Sequence, residues 1–518
     1  MSVTSAPSSP ATAARGSSRL WFVLSGVSVA TLLIPLLYLV VRVSEIDAAG
    51  FRKTLFESRA LELTLNSLGL ATAVSVTALA LGVAIAVFVT RDSVLWRKTL
   101  LALSALPLAV PSYLAAYGWL VVTPGINGLV ASWFLLTAVT VPYVTLPTAA
   151  ALRAAGQGHE MVARTLGRTP SRAFFQATWP QIRPAALAGT LLVFLYTVSD
   201  FGLVALMRFH TLTWGVNAAY SASFNRNQAA VLALLVVLLA LIAVAGERGL
   251  RGNTVLFRAK SAVTGLTLPR SIRTLMLILT LSPIALGVVV PLTGLGIRLL
   301  QAQTLRAVDG ARLLEATGWT MTVSLLAAVA ATLIAFPIAV LVARAPGRLA
   351  RTMESLGYLS HALPGIVVGL SLVFLTLRLL PAVYQTIAVL VFGYTVLFAS
   401  KAMGTSRSSI EAVSPQLTMV ARTLGDTPWR AWRRVTLPLA LPGISVGALL
   451  VFLATMKELP ATLILRPTGV DTLATELWSR TVAVEFGAAA PYAAVLVLLA
   501  TIPAMLLSGI RSERGEER

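Results

Sequence analysis

The sequence predicts an all-α integral membrane protein with about twelve transmembrane helices in two parallel six-helix repeats. Three observations carry that reading. Hydrophobic residues make up 57% of the 518-residue chain and charged residues only 12%, about half the charged fraction of a soluble domain. Runs such as 21–41, 184–207 and 492–507 carry few or no charges, and they approach or exceed the ~20 apolar residues a helix needs to cross ~30 Å of hydrocarbon. The heptapeptide MVARTLG occurs twice, at 161–167 and 419–425, 258 residues apart. No pattern of alternating ten-residue strands is present, so helices rather than a barrel do the spanning.

The chain opens with a polar, Ser/Ala-rich stretch, residues 1–20, whose composition predicts a disordered tail. The apolar run behind it is too long for the core of a cleaved signal peptide, and no small-x-small cleavage site follows, so the first helix is read as retained. Apolar runs between charged breaks place helices at about 21–43, 64–90, 99–122, 127–152, 184–207 and 228–246. A second set follows at about 273–297, 319–343, 354–379, 381–402, 442–465 and 488–509. The first half is therefore 21–246 and the second 273–511, with a linker at 247–272 and a short tail at 512–518. Arg248, Arg251, Arg258, Lys260, Arg270 and Arg273 crowd the linker region, which the positive-inside rule puts in the cytoplasm together with both termini. Each half then crosses an even number of times, and both heptapeptides face the cytoplasm in the same orientation. The longer connections at about 44–63, 208–227, 298–318 and 466–487 fall outside.

The repeat extends past the heptapeptide. At the same offset, RTLGRTPSRAFFQATWPQIRP (164–184) matches RTLGDTPWRAWRRVTLPLALP (422–442), Gly189 meets Gly447, Phe194 meets Phe452, and Asp200 meets Glu458. A one-residue shift also pairs the ALP triplets at 105–107 and 362–364. Within the loops, at about 153–183 and 404–441, Gly167 and Gly425 suit the left-handed residue that ends a helix, since glycine has no Cβ to clash there. Thr169-Pro170 and Thr427-Pro428 supply an N-cap hydroxyl followed by proline at the first helical position. The new helix is expected to be short, broken at Pro180 and Pro438, with Pro184 and Pro442 opening the next span.

That short helix mixes cations with large aromatics: Arg172, Phe174 and Phe175 in one copy, and Trp429, Arg430, Trp432, Arg433 and Arg434 in the other. It could anchor in lipid headgroups, pack on its own bundle, or dock a partner. The capped turn and terminal proline recur at equal spacing in both halves, which favours docking of a two-fold partner assembly.

Other chemistry is scarce. Forty-one Lys and Arg against twenty Asp and Glu give a net charge of +21, but the cations sit in short stretches between apolar runs and make no aromatic-interleaved stripe of the nucleic-acid-binding kind. The chain has no cysteine, and its three histidines, His159, His210 and His361, lie far apart without metal-ligand spacing. None of the five lysines follows a glycine, so no phosphate-binding loop exists, and no catalytic triad or paired-carboxylate site is visible. The chain is not expected to be an enzyme or to hold a cofactor.

The loops resemble the cytoplasmic EAA loop of binding-protein-dependent ABC importer permeases, whose core is glycine, nine residues, aliphatic, any residue, Leu, Pro. The second copy reads Gly425, Val435, Leu437, Pro438, and the first Gly167, Ala177, Trp179, Pro180. Met161 and Met419 stand where that motif has glutamate, and only Ala163 and Ala421 carry over from its alanines. The resemblance covers nearly the whole chain and implies the type I ABC importer fold. It implies two copies of a separate ABC ATPase subunit, which bind ATP and Mg, docked on the two loops. It also implies a periplasmic or lipoprotein solute-binding protein, an inner-membrane location, and halves that rock between inward-open and outward-open states. The single-chain layout and the stretches YTVSDFGLVAL and MKELPATLILRPTGVDTLATELW are most similar to fused ferric-iron permeases, with thiamine, polyamine and phosphonate permeases as alternatives. A proton-coupled secondary transporter with parallel repeats is the rival from another class, although it would have no use for two docking helices.

Ionisable residues inside spans cost about 2.5 to 3.5 kcal/mol each on insertion scales, so Asp200, Lys457 and Glu458 stand out. Each carboxylate follows a span-opening proline by sixteen residues, roughly 24 Å along a helix. Two roles are open: a helix-end polar cluster or ion pair, for instance Lys457 with Asp200, or the lining and gate of the translocation path.

Overall fold

The computed structural model describes residues 10–91, 96–155, 158–223, 225–251, 269–301, 304, 308–360 and 363–516. All regular structure among them is helical, with no strand. Among the described residues nine helices are long and apolar enough to cross a membrane, a bent pair (Arg97–Ala109 with Ser112–Val122) turns by 90°, and two shorter apolar helices are Gly365–Leu379 and Phe486–Thr501. These correspond to the twelve segments read from the apolar runs.

Several boundaries move. The first described helix runs from Pro10, so residues 10–20 of the tail expected at 1–20 are helical, and residues 1–9 lie outside the described residues. Ala11, Ala13 and Ala14 extend an already nucleated helix at little cost, with proline tolerated in its first turn. At the other end a helix runs through Glu516 where a tail was expected from 512, and 517–518 lie outside the described residues. Most of the linker expected at 247–272 also lies outside them, in 252–268. The spans expected at 184–207 and 442–465 end early, at Ser199 and Met456, and short helices Gly202–Leu206 and Pro460–Leu465 follow.

The chain forms two packing units that divide it differently from the sequence halves. One comprises Glu45–Leu313 with Ala474–Thr501, the other Met1–Ser44 with Leu314–Leu473 and Ile502–Arg518. The first helix of each half thus packs in the unit built on the other half. In the Glu45–Leu313 unit this joint is backbone on backbone: a Cβ on Gly118 would lie 2.5 Å from the Pro291 carbonyl oxygen, and one on Gly294 would lie 2.4 Å from that of Gly118. Small residues permit such approach in a membrane, where apolar surface alone gives helices no reason to associate. In the other unit the N-terminal helix donates the Tyr38 hydroxyl to the Phe374 carbonyl at 3.2 Å.

The repeat is visible inside each unit. Gly189 brings its span against the backbone at Tyr143 and Val144, where a Cβ would sit 2.4 Å from the Tyr143 oxygen; Gly447 does the same at Ala402 and Thr405, its Cβ position 2.1 Å from the Thr405 hydroxyl. The paired ALP triplets prove not to be counterparts. Pro111 and Pro364 are, each at the N-cap of a core helix, Ser112–Val122 and Gly365–Leu379. Ala362 and His361 lie outside the described residues. The offset between halves is five residues shorter before the loops than after them, which the single 258-residue alignment hides.

Candidate functional site

Each loop begins with a helix, Gly158–Thr165 in the first copy and Pro415–Thr423 in the second. Both end at a left-handed glycine, Gly167 at φ 81° and Gly425 at φ 96°. The N–H of Arg168 donates to the Ala163 carbonyl at 3.1 Å, and that of Asp426 to the Ala421 carbonyl at 3.1 Å, closing a Schellman turn in each copy. Ala163 is half-buried and Ala421 buried, so both turns rest on small inward side chains.

The next helices, Pro170–Ala173 and Pro428–Ala431, start at the two Thr-Pro pairs. Thr427 accepts the Arg430 N–H on its hydroxyl at 3.3 Å, as an N-cap should. Thr169 makes no such bond, and its hydroxyl lies 3.5 Å from that of Ser171. Neither Pro180 nor Pro438 breaks the chain's course. A π turn, Phe174–Thr178 or Trp432–Thr436, precedes each one, and the spans Trp179–Ser199 and Leu437–Met456 continue through them and through Pro184 and Pro442. The wider turn accommodates the missing N–H and the proline ring, so the short helix and the span run on as one helix, Pro170–Ser199 or Pro428–Met456.

The aromatics divide between inside and outside. Phe174 packs against Ala86, Ala149, Leu152 and Ile182, and its counterpart Trp432 against Ala339, Val340, Ile410 and Ile444. Met161, Val162, Leu166 and Phe175 are exposed on the first loop, as are Met419, Val420, Leu424 and Trp429 on the second, with Leu166 77% and Leu424 84% accessible. Arg172 and Arg430 are exposed beside them. Apolar patches rimmed by cations mark an interaction surface.

Beneath the first loop lies an ion pair that the sequence reading missed. Glu160, one residue ahead of the heptapeptide, pairs with Arg91, the last residue of the Ser58–Arg91 span. Thr178 of the π turn donates to the same carboxylate at 2.7 Å and accepts from Arg91 at 3.1 Å. The Arg91 guanidinium also sits over the Phe174 ring, 5.6 Å from its centre. Both charged residues are buried. Removing one partner of such a pair costs about 3–5 kcal/mol, because the other charge is left stranded. The second loop has two hydroxyls at this place, Thr418 and Thr436 at 3.2 Å, and among the described residues Arg344 reaches the Val413 carbonyl, at 3.4 Å.

Asp200 and Glu458 both lie just beyond the end of a span and bind the start of the short helix that follows. Asp200 accepts the N–H groups of Leu203 and Val204 at 3.0 and 3.3 Å, and its second oxygen accepts the Ser112 hydroxyl at 2.5 Å. Glu458 accepts the N–H groups of Ala461 and Thr462 at 3.0 and 3.1 Å and the Thr462 hydroxyl at 2.9 Å. The two sites solve one problem differently. Ser112 reaches out to the shorter acid, whereas Gly365 at the same structural position clears room for the longer one, since a Cβ there would lie 2.3 Å from Glu458 Oε1. All four carboxylate oxygens are engaged at helix N-termini, where a negative charge is favoured. Lys457 caps the end of the Leu437–Met456 span. The matching dipeptides Pro111-Ser112 and Pro364-Gly365, each opening an apolar run, were the available sequence signal.

His210 stacks on Trp214 with ring centres 4.0 Å apart, and the side chains of His159 and His361 lie outside the described residues. Among the described residues no three His, Cys, Asp or Glu side chains gather as a metal site.

The family model of the binding-protein-dependent transport system inner membrane component matches residues 78–246 and, a second time, 335–510. The chain belongs to this family. Each matched region holds one loop and one carboxylate clamp, and the N-terminal helix of the permease lies outside both. The permease is 31% identical to the Fe(3+)-transport system permease protein FbpB 2 of Haemophilus influenzae over 481 residues, 92% of this chain and 95% of that protein. It is 33% identical over 148 residues to the molybdenum transport system permease protein ModB of Mycobacterium bovis, covering 25% of this chain and 53% of that one. The putative 2-aminoethylphosphonate transport system permease protein PhnV of Salmonella typhimurium is 28% identical over 160 residues, 31% of this chain and 60% of that one. The permease is accordingly a multi-pass inner-membrane transport protein with its two halves fused in one chain.

Proposed function

We propose that this permease forms the membrane path of an ATP-driven importer for ferric iron. Similarity over nearly the full length of both chains to a Fe(3+)-transport permease supports the cargo, whereas the molybdenum and phosphonate relatives match only about a third of this chain or less. The exposed patches of the two loops support the partner: two copies of a separate ATPase subunit, each taking one apolar rim and its arginine into a groove. On this reading the loops and both termini are cytoplasmic, ATP and Mg are bound by the partner, and this chain carries no cofactor. A periplasmic or lipoprotein solute-binding protein presents iron on the opposite side. Asp200 and Glu458 serve transport by holding helix ends rather than by ligating cargo, since their oxygens are already engaged.

Deleting the gene and measuring uptake of labelled ferric iron, molybdate and 2-aminoethylphosphonate tests the cargo. Lost iron uptake with normal oxyanion and phosphonate uptake is expected, and intact iron uptake would overturn the assignment. Affinity purification of the permease from its native membrane should bring an ATPase subunit with it.

A further inference from the structure

We propose that the buried Arg91–Glu160–Thr178 cluster locks the first loop to the Ser58–Arg91 span so that the two move as one body, and that the second loop, built without this lock, couples less rigidly. The inference rests on the reading of the loops as ATPase docking sites.

The cluster is a closed triangle. Arg91 ends a span, Glu160 lies on the loop's first helix, and Thr178 closes the π turn that leads into the next span. Each member bonds the other two. Parting the Arg91–Glu160 edge strands both charges away from water, and Thr178 ties that pair to the next span, so a push on the loop passes to both spans without slack. At the corresponding place in the second half Thr418 and Thr436 make one neutral contact at 3.2 Å, which is far cheaper to break. That loop leans instead on aromatic packing. Trp432 lies against Phe336, with ring centres 5.7 Å apart, and against Trp21 of the N-terminal helix at 6.1 Å. These rings meet edge-on and tilted, at 73° and 45°, and parting them strands no charge, so the contact yields more readily than a buried ion pair.

A positioning role differs from a purely structural one in what it moves: import per ATP hydrolysed rather than the amount of folded protein. The test uses the intact complex in proteoliposomes and reads ferric-iron uptake, ATP hydrolysis and thermal unfolding. The variants are Glu160→Gln, the double variant Arg91→Leu/Glu160→Leu, the exchange Arg91→Glu/Glu160→Arg, and Thr418→Val. Replacing a buried ion pair by apolar residues often leaves stability intact, so the double leucine variant separates folding from coupling. We expect Glu160→Gln and the double leucine variant to import about tenfold less per ATP while still hydrolysing it, the exchange to recover part of the loss, and Thr418→Val to change the ratio by less than about twofold. An unchanged ratio in a folded double leucine variant would overturn the proposal, as would a double leucine variant that fails to assemble, since the pair would then serve folding alone. Equal effects of Glu160→Gln and Thr418→Val would remove the asymmetry. If no ATPase subunit remains bound to the wild-type permease, it is the docking reading that fails.

Discussion

Gly365→Ala offers a sharp test of the carboxylate clamps. The new methyl would lie 2.3 Å from Glu458 Oε1, well inside contact distance, and the carboxylate is buried with no solvent to retreat into. The added carbon must push the side chain off the N–H groups of Ala461 and Thr462, which it now accepts at 3.0 and 3.1 Å. Hydrogen bonds to a charged group contribute about 1.5–3 kcal/mol each, so losing both costs roughly 3–6 kcal/mol. At about 2–4 °C per kcal/mol for a unit of this size, unfolding should fall by at least about 6 °C. The first half supplies the remedy, because there a shorter acid is paired with a bulkier neighbour. The double variant Gly365→Ser/Glu458→Asp copies Ser112 and Asp200 and should recover most of the loss. The assay is thermal unfolding of the purified permease in detergent, followed by tryptophan fluorescence. A single variant as stable as the wild type, or a double variant no better than the single, would refute the reasoning.

Other perturbations follow from the same geometry. Gly189→Ala puts a Cβ 2.4 Å from the Tyr143 carbonyl oxygen and Gly447→Ala one 2.1 Å from the Thr405 hydroxyl; the first meets rigid backbone and should lower the unfolding temperature more, as parallel melts would show. Gly425→Ala forces a side chain to φ 96° and should cost about 1–2 kcal/mol, seen as faster proteolysis of the second loop. Leu166→Ser and Leu424→Ser, at side chains 77% and 84% exposed, should leave the melting temperature within about 1 °C while weakening retention of the ATPase subunit on a column. Since the chain has no cysteine, Leu166→Cys gives a single labelling site, and a bound ATPase should slow its reaction with a maleimide.

Much of the loop was legible because it is local. A left-handed glycine, a Thr-Pro start and a helix of one or two turns depend on residues a few positions apart, and both copies display them. The sequence misled where a local rule was overridden. Pro180 and Pro438 look like breaks, yet each helix continues because a π turn before it makes room for the ring. Thr169 occupies the cap position, yet its hydroxyl accepts no backbone N–H. The motif pointed to Met161, where its glutamate is missing, and gave no hint that the neighbouring Glu160 is buried on Arg91, 69 residues earlier.

What the sequence determined by itself was therefore the membrane, the helices, the duplication and the shape of the repeated loops. Those follow from composition, period and residues close in the chain, where the physics is one of transfer to lipid and of backbone torsion. Only the tertiary structure decided which distant groups meet: Arg91 with Glu160, Ser112 with Asp200, Gly365 with Glu458, and the first helix of each half with the core of the other. A buried charge must find a partner wherever the fold brings one, and a glycine must sit wherever two backbones cross. Neither requirement leaves a period in the sequence.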